Sequence, residues 1–234
     1  MTRDILKRQA AETAVSAIQS GMVVGLGTGS TAVHAVRAIG ALLQNGRLHN
    51  IVAIPTSEAT AQEAKRLGIP LTTLAEHPQI DVGIDGADEI SPTLDLIKGL
   101  GGALLREKIV TIATRHFIVI ADDSKKVVRL GTRAPVPVEV IPFAQKPVHD
   151  YLASLGARPV LRLQDGHPFI TDEGNVILDC HFDGGIDDPM QLGQLIKQRP
   201  GVVEHGLFLG MAKTAVVASD SGVEILGKPL ADAA

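Results

Sequence analysis

The sequence predicts an α/β protein: a Rossmann-like, mostly parallel sheet with helices on both faces, plus a smaller α+β (ferredoxin-like) domain. Two observations carry this expectation. Up to about residue 125, short apolar strand patterns alternate with helical patterns, and parallel strands need such crossovers to bring the chain back to the same edge. From about residue 131 the texture changes, with Pro135, Pro137, Pro142 and Pro147 clustered around Val138-Glu139-Val140. The expected division is residues 1–130 with 205–234 for the main domain, and 131–204 for the small one.

The elements follow in order. Residues 3–19 place Ala11, Ala14, Val15 and Ile18 at helical spacing, with Gly21 as a stop. Met22-Val23-Val24-Gly25-Leu26 reads as a buried strand, followed by a glycine-rich turn and a helix from Thr31 to Leu43. Ile51-Val52-Ala53-Ile54 is a second buried strand. Ser57 caps a helix that runs to Leu67 and is ended by Gly68 and Pro70. Residues 80–85 read as a strand, 103–114 as a helix and 117–121 as a strand. In the second half, residues 176–182 are strand-like and Pro189 to Gln198 is helical. The apolar stretch from Met211 to Ile225 is expected to return to the main sheet. There are no internal repeats and no low-complexity segments.

Bulk properties exclude several classes. The 234 residues suffice for one large domain or a main domain with a small one. With 22 basic and 26 acidic residues the formal charge is −4, so no global positive surplus suits a nucleic-acid partner and any phosphate site must be local. Aromatic residues make up 3% and Trp is absent, which disfavours a base-stacking surface and makes the core aliphatic. The single cysteine, Cys180, excludes an internal disulfide and fits a reducing compartment. The N-terminus lacks the apolar core of a signal peptide, and no stretch approaches the ~20 apolar residues of a membrane span. The expectation is a cytoplasmic protein without a membrane or nucleic-acid partner.

Four clusters carry candidate chemistry. Gly25-Leu26-Gly27-Thr28-Gly29-Ser30-Thr31 lies between a strand and a helix. Its glycines permit close approach, the next helix offers free N–H groups, and Thr28, Ser30 and Thr31 add hydroxyls. A monophosphate cradle, a dinucleotide site and a plain tight turn compete here. Ser30 breaks the G-x-G-x-x-G pattern, the second strand ends Pro55-Thr56-Ser57 without a carboxylate, and the loop has no P-loop lysine. Asp85-Gly86-Ala87-Asp88-Glu89 follows a strand, where open α/β sheets bind ligands. Its carboxylates suit a divalent metal, sugar hydroxyls or proton transfer, or simply a solvated turn. Lys98-Gly99-Leu100-Gly101-Gly102 enters a helix in which Glu107, between Arg106 and Lys108, reads on its own as a surface residue. Ala121-Asp122-Asp123-Ser124-Lys125-Lys126 brings lysines after another strand, as a site component or a solvated loop. Neither zinc-ligand spacing nor a G-x-S-x-G elbow is present.

In order and spacing, residues 25–31, 85–90, 98–110 and Ser124-Lys125 resemble the ribose-5-phosphate isomerase A family, as does the hinge-like Pro137-Val138-Glu139-Val140-Ile141-Pro142. The resemblance spans essentially the whole chain. It implies interconversion of ribose 5-phosphate and ribulose 5-phosphate without a cofactor or metal, in a homodimer or dimer of dimers. It implies a substrate loop at Thr28, Gly29, Ser30 and Thr31, contacts at Asp85, Gly86, Ala87, Asp88, Lys98, Gly99, Leu100 and Gly101, and Lys125 near the substrate. Glu107 becomes the proton-transferring base, Lys98 the cation for the developing oxyanion, and Asp85 or Asp88 the aid to ring opening. Leu100 departs from the K-G-G-G form common at this loop, so backbone contacts there are expected to differ slightly. A non-catalytic sugar-phosphate sensor and a nucleotide-dependent oxidoreductase are the competing functions; the length leaves no room for a fused DNA-binding module, and the broken fingerprint disfavours a dinucleotide.

Overall fold

The structure is a computed structural model and describes residues 1–230; residues 231–234 of the expected 205–234 segment lie outside the described residues. In chain order it runs through α1 (Arg3–Val15), β1 (Val23–Leu26), α2 (Ala32–Gln44), β2 (Val52–Pro55), α3 (Glu58–Arg66) and β3 (Ile80–Gly86). The short strands β4 (Glu89–Ile90) and β5 (Leu96–Ile97) precede α4 (Leu104–Ala113) and β6 (Thr114–Asp122). Then come β7 (Val136–Val140), α5 (Gln145–Ser154), β8 (Arg158–Leu161), β9 (Leu163–Gln164), β10 (His167–Pro168), β11 (Val176–His181) and α6 (Pro189–Gln198). The last strands are β12 (Val202–His205), β13 (Leu207–Phe208), β14 (Thr214–Ser219) and β15 (Gly222–Gly227).

The chain divides into two compact units. The first comprises Met1–Ala87, Arg106–Lys125 and the segment from Gly210 onward; the second comprises Asp88–Leu105 and Lys126–Leu209. The second unit is wider than the expected 131–204 span, because β4, β5 and the Lys98 loop go with it.

The first unit is built on the sheet β15-β14-β6-β3-β1-β2. All neighbours in it are parallel except the β14–β15 hairpin, so the 211–225 stretch does return to this sheet. Fully buried Val24, Val82, Ile118, Ile120 and Val216 meet Ala10, Ala11 and Ala14 of α1 and Ile39 of α2. Truncating a core residue such as Ile39 to Ala typically costs about 2–5 kcal/mol. Ser57 caps α3 as expected, accepting from the Thr60 N–H at 3.1 Å. Because β1, β3 and β6 are parallel and in register at Leu26↔Ile84 and Gly86↔Ile120, the loops that follow them leave the same sheet edge. From β1 the chain moves outward to β2 and then returns to the other side as β3. That reversal is the switch point at which open α/β sheets place ligands.

The second unit contains β7-α5-β8-β11-α6-β12 with spatial order β12-β7-β11-β8, all antiparallel. This is the βαββαβ, ferredoxin-like arrangement. Its core joins Val136, Val138, Val140, Val148, Leu152, Leu178, Cys180 and Ile196. A three-stranded ribbon, β13-β5-β4, belongs to the same unit; its two-residue strands are too short to leave a periodic signal in sequence.

Candidate active site

In the first unit the glycine-rich turn closes over the end of β3. The Oδ1 atom of Asp85 accepts from the Thr28 N–H at 3.0 Å and from the Gly86 N–H at 2.7 Å. A side chain at Gly27 would collide with this carboxylate, which is why that position carries none. Gly29 adopts φ +107°, a conformation that only glycine reaches cheaply. The chain then enters α2 with Gly29 and Ser30 exposed. Among the described residues the N–H groups of Gly29, Ser30 and Thr31 meet no acceptor; orphan donors at a helix start are suited to receiving an anion. The Lys7 ammonium of α1 donates to Ser30 Oγ at 2.9 Å, adding a positive charge beside them. On the loop's flank lies a recess of about 290 Å³ lined by Thr28, Gly29, Ser30, Val36, Thr60 and Glu63.

Asp85, 2% exposed, and the half-buried Gly86 and Ala87 follow at the C-terminal end of β3. Lys125 ends the 3-10 turn Asp123–Lys125 after β6 and is half-buried. Asp122 shapes that turn, accepting from the Ser124 N–H at 3.0 Å and from its hydroxyl.

Glu107 corrects the reading made from its neighbours alone. It is 3% exposed, while Arg106 beside it turns outward to Glu58 at 2.7 Å. The charged triplet Arg106-Glu107-Lys108 looks solvated in sequence, yet Glu107 and Lys108 are both buried. A helix turns through 100° per residue, so adjacent charges need not share an environment.

The second unit holds the other predicted residues. Asp88 Oδ2 accepts from the Leu100 N–H at 3.0 Å, tying the acidic turn to the Lys98 loop. Glu89, the third carboxylate of that turn, is fully buried and accepts from the N–H groups of Gly131, Arg133 and Ala134 at 2.6–2.8 Å. It is therefore an internal brace. Lys98 is 2% exposed, with Nζ 5.4 Å from the centre of the Phe208 ring, a cation–π distance. Gly99 and Gly102 take φ +104° and +86°, whereas Leu100 is absent from the positive-φ residues. A leucine thus fits without backbone strain, and the residue is 41% exposed. Arg162 donates to the carbonyls of Gly99 and Leu100, both at 3.0 Å, while forking onto Asp179 at 2.9 and 2.5 Å.

Lys7, Thr60 and Arg162 were not singled out by sequence. Each is remote in sequence from the loop it touches, and no local pattern marks such a partner. Among the described residues no group of three or more His, Cys, Asp or Glu is arranged to hold a metal ion, and no helix is long and apolar enough to cross a membrane.

Comparison with known proteins identifies the family. The model of the family "Ribose 5-phosphate isomerase A (phosphoriboisomerase A)" matches residues 52–222. A ribose-5-phosphate isomerase A from Roseiflexus castenholzii is 55% identical over 98% of both chains. A probable ribose-5-phosphate isomerase 2 from Arabidopsis thaliana is 50% identical over 97% of this chain and 88% of its own. A D-ribose-5-phosphate isomerase solved in complex with phospho-erythronic acid superposes with TM-score 0.95 at 40% identity, covering 97% of this chain and 100% of its own. The ribose 5-phosphate isomerase of Plasmodium falciparum superposes with TM-score 0.94 at 42% identity, covering 96% and 99%. Relatives at half identity over nearly the full length, and a family model spanning most of it, show that the chain belongs to the ribose 5-phosphate isomerase A family.

Proposed function

We propose that this isomerase interconverts D-ribose 5-phosphate and D-ribulose 5-phosphate with Glu107 as the base that carries the proton between C2 and C1. The observation that supports this reading best is the burial of Glu107, 3% exposed on α4 in spite of its charged neighbours. A carboxylate shielded from water can take a carbon-bound proton and return it to the adjacent carbon with little leakage to solvent. The intermediate is an enediolate, whose oxygen develops negative charge as the proton leaves. Lys98, a buried ammonium, is the group that stabilises that charge.

The phosphate binds at the loop of residues 28–31 together with Lys7, and its remote binding energy positions the reacting carbons. Asp85 and Asp88 receive sugar hydroxyls, and one of them assists opening of the furanose ring. The backbone at Gly86, Ala87, Gly99, Leu100 and Gly101 completes the sugar contacts, with Lys125 near the substrate. The complex of a structural relative with phospho-erythronic acid supports recognition of a phosphorylated sugar-like acid. The reaction runs without metal or cofactor in the cytoplasm, in a homodimer or dimer of dimers whose mass light scattering would read.

The test is turnover of ribose 5-phosphate in the presence of chelator, for the parent protein and Glu107→Gln. The amide keeps the shape and cannot accept the proton. We expect turnover in chelator by the parent and a fall of at least ~10²-fold in kcat for the variant, the scale of one positioned general base. A folded variant within tenfold of the parent would remove Glu107 from the role.

A further inference from the structure

Thr28 differs from the three residues that follow it in the anion loop. Its Oγ1 lies 2.7 Å from Thr56 Oγ1, 2.8 Å from Ser57 Oγ and 3.1 Å from Thr60 Oγ1. Each of these three hydroxyls has one proton to give. Thr56 gives its proton to the Leu26 carbonyl at 3.0 Å, and Thr60 gives its own to the Gly27 carbonyl at 3.0 Å. Ser57 gives its proton to Thr60 at 3.1 Å. Toward Ser57 the Thr28 hydroxyl is the donor, while at the Thr56 and Thr60 contacts either hydroxyl can donate. Thr56, Ser57 and Thr60 are 2%, 5% and 8% exposed, so in this poorly solvated pocket the four hydroxyls must satisfy one another and the nearby carbonyls rather than water. The Thr28 hydroxyl proton is directed inward, to Ser57 Oγ at 2.8 Å. The other donor of Thr28, its N–H, is committed to Asp85 Oδ1 at 3.0 Å.

We propose that Thr28 is a positioning residue, a latch that fastens the anion loop to β2 and α3 through the Thr56-Ser57-Thr60 hydroxyls, and that the phosphate is met by Gly29, Ser30, Thr31 and Lys7 instead. This rests on the reading of residues 28–31 as the phosphate site. Both donors of Thr28 are spent inside the protein, whereas among the described residues the N–H groups at 29, 30 and 31 meet no acceptor. Thr60 is the keystone, since it touches Thr28 and also holds the Gly27 carbonyl. The latch sets the pitch of the loop, so substrate affinity depends on hydroxyls of Thr56 and Thr60 that point away from the anion.

The experiment compares the parent with Thr60→Val, Thr60→Ser, Thr28→Val and the Thr28→Val/Thr60→Val double variant. Steady-state turnover of ribose 5-phosphate and competition by inorganic phosphate are measured for each, with thermal unfolding as a check on folding. We expect Thr60→Val to raise KM and the inhibition constant of phosphate by about tenfold, the scale of one buried hydrogen bond. Its kcat stays within about threefold, as for a loss in ground-state binding, and Thr60→Ser restores affinity. Thr28→Val gives a similar loss, and the double variant is no weaker than the weaker single, because one latch is broken only once. Should Thr60→Val not fold, Thr56→Val carries the same expectation. Parent-like phosphate affinity in folded Thr60→Val, or single losses that multiply in the double variant, would make Thr28 a direct ligand and overturn the proposal. If inorganic phosphate fails to compete in the parent itself, the anion site is elsewhere and the assignment falls with it.

Discussion

The two units hold their candidate residues by different means. In the sheet unit, the loop of residues 25–31 is positioned by strand register, glycines and short hydroxyls: Gly27 lies against Asp85, and Thr28 sits among Thr56, Ser57 and Thr60. In the second unit, the Lys98 loop is held by charged side chains from far along the chain. Arg162 grips two of its carbonyls and Asp88 one of its N–H groups, while Glu89 fixes the 131–134 segment. Neutral hydrogen bonds are each modest, whereas breaking a buried charged brace strands its partners. The sheet unit has one such charged brace in Asp85, whereas the second unit has Arg162, Asp88 and Glu89, so substitutions among the bracing residues are expected to cost more there.

The largest effect is expected at Lys98. Lys98→Met keeps much of the apolar stem and removes the ammonium. If that ammonium meets the enediolate oxygen, kcat falls by about 10²–10³-fold, the cost of one missing oxyanion donor. Stopped-assay kinetics would measure it, and a KM effect without a kcat effect would confine Lys98 to substrate binding.

Next comes Glu89→Gln, a change of one atom that removes the charge shared by three N–H groups. It is expected to destabilise the protein by roughly 3 kcal/mol, as for a broken buried charged network. The corresponding fall in unfolding temperature is roughly 6–12 °C for a chain of this size. Calorimetry reads this directly, and an unchanged midpoint would mean that the amide serves the three donors as well as the carboxylate does.

Arg162→Lys comes third. Lysine retains the charge but not the planar fork that binds Asp179 while also reaching the Gly99 and Leu100 carbonyls. A loss of about 1–2 kcal/mol in substrate affinity, seen as KM rising roughly fivefold to thirtyfold, is expected. An equal loss in kcat with KM intact would place Arg162 in the transition state instead.

These contrasts also explain what was legible in the sequence. The sheet unit was readable because its order rests on local patterns: apolar strand runs, the Ser57 cap and glycines where backbone and carboxylate converge. The Asp85 turn and the glycine loop were visible because both follow strands. Asp85 and Asp88 were picked out of the acidic turn by sequence, but the separate role of Glu89 is visible only where the fold sends it into the interior. Glu107 misled for the same reason: neighbouring charges said surface, and only the resemblance to a family pointed elsewhere. The Thr60, Lys7 and Arg162 contacts each join residues at least 23 positions apart, so no window of sequence contains both partners.

The smallest effects lie in the pH dependence of stability, where the two units are expected to have opposite signs. Glu63, on α3 of the sheet unit, is bonded by Arg66 and Arg37, which bring its carboxyl from 4.5 down to about 2. A lowered folded value means that its stabilisation is present above about pH 4.5 and is lost as pH falls through about 2. As a surface arrangement its worth is about 1 kcal/mol or less. Glu139 on β7 is 1% exposed, and burial raises its carboxyl above the usual range, against the hydrogen bonds from Asn175 and Thr171. Glu173 and Glu204 add like charge from neighbouring segments. A raised folded value means the reverse: the contribution is full at acid pH below the unfolded value and is lost as pH rises through the folded one. Glu139→Gln should therefore flatten the decline in unfolding free energy on the alkaline side of pH 4.5, and Glu63→Gln the decline below it. Denaturant unfolding at a series of pH values separates the two, and slopes of the same sign would show that hydrogen bonds outweigh burial at Glu139.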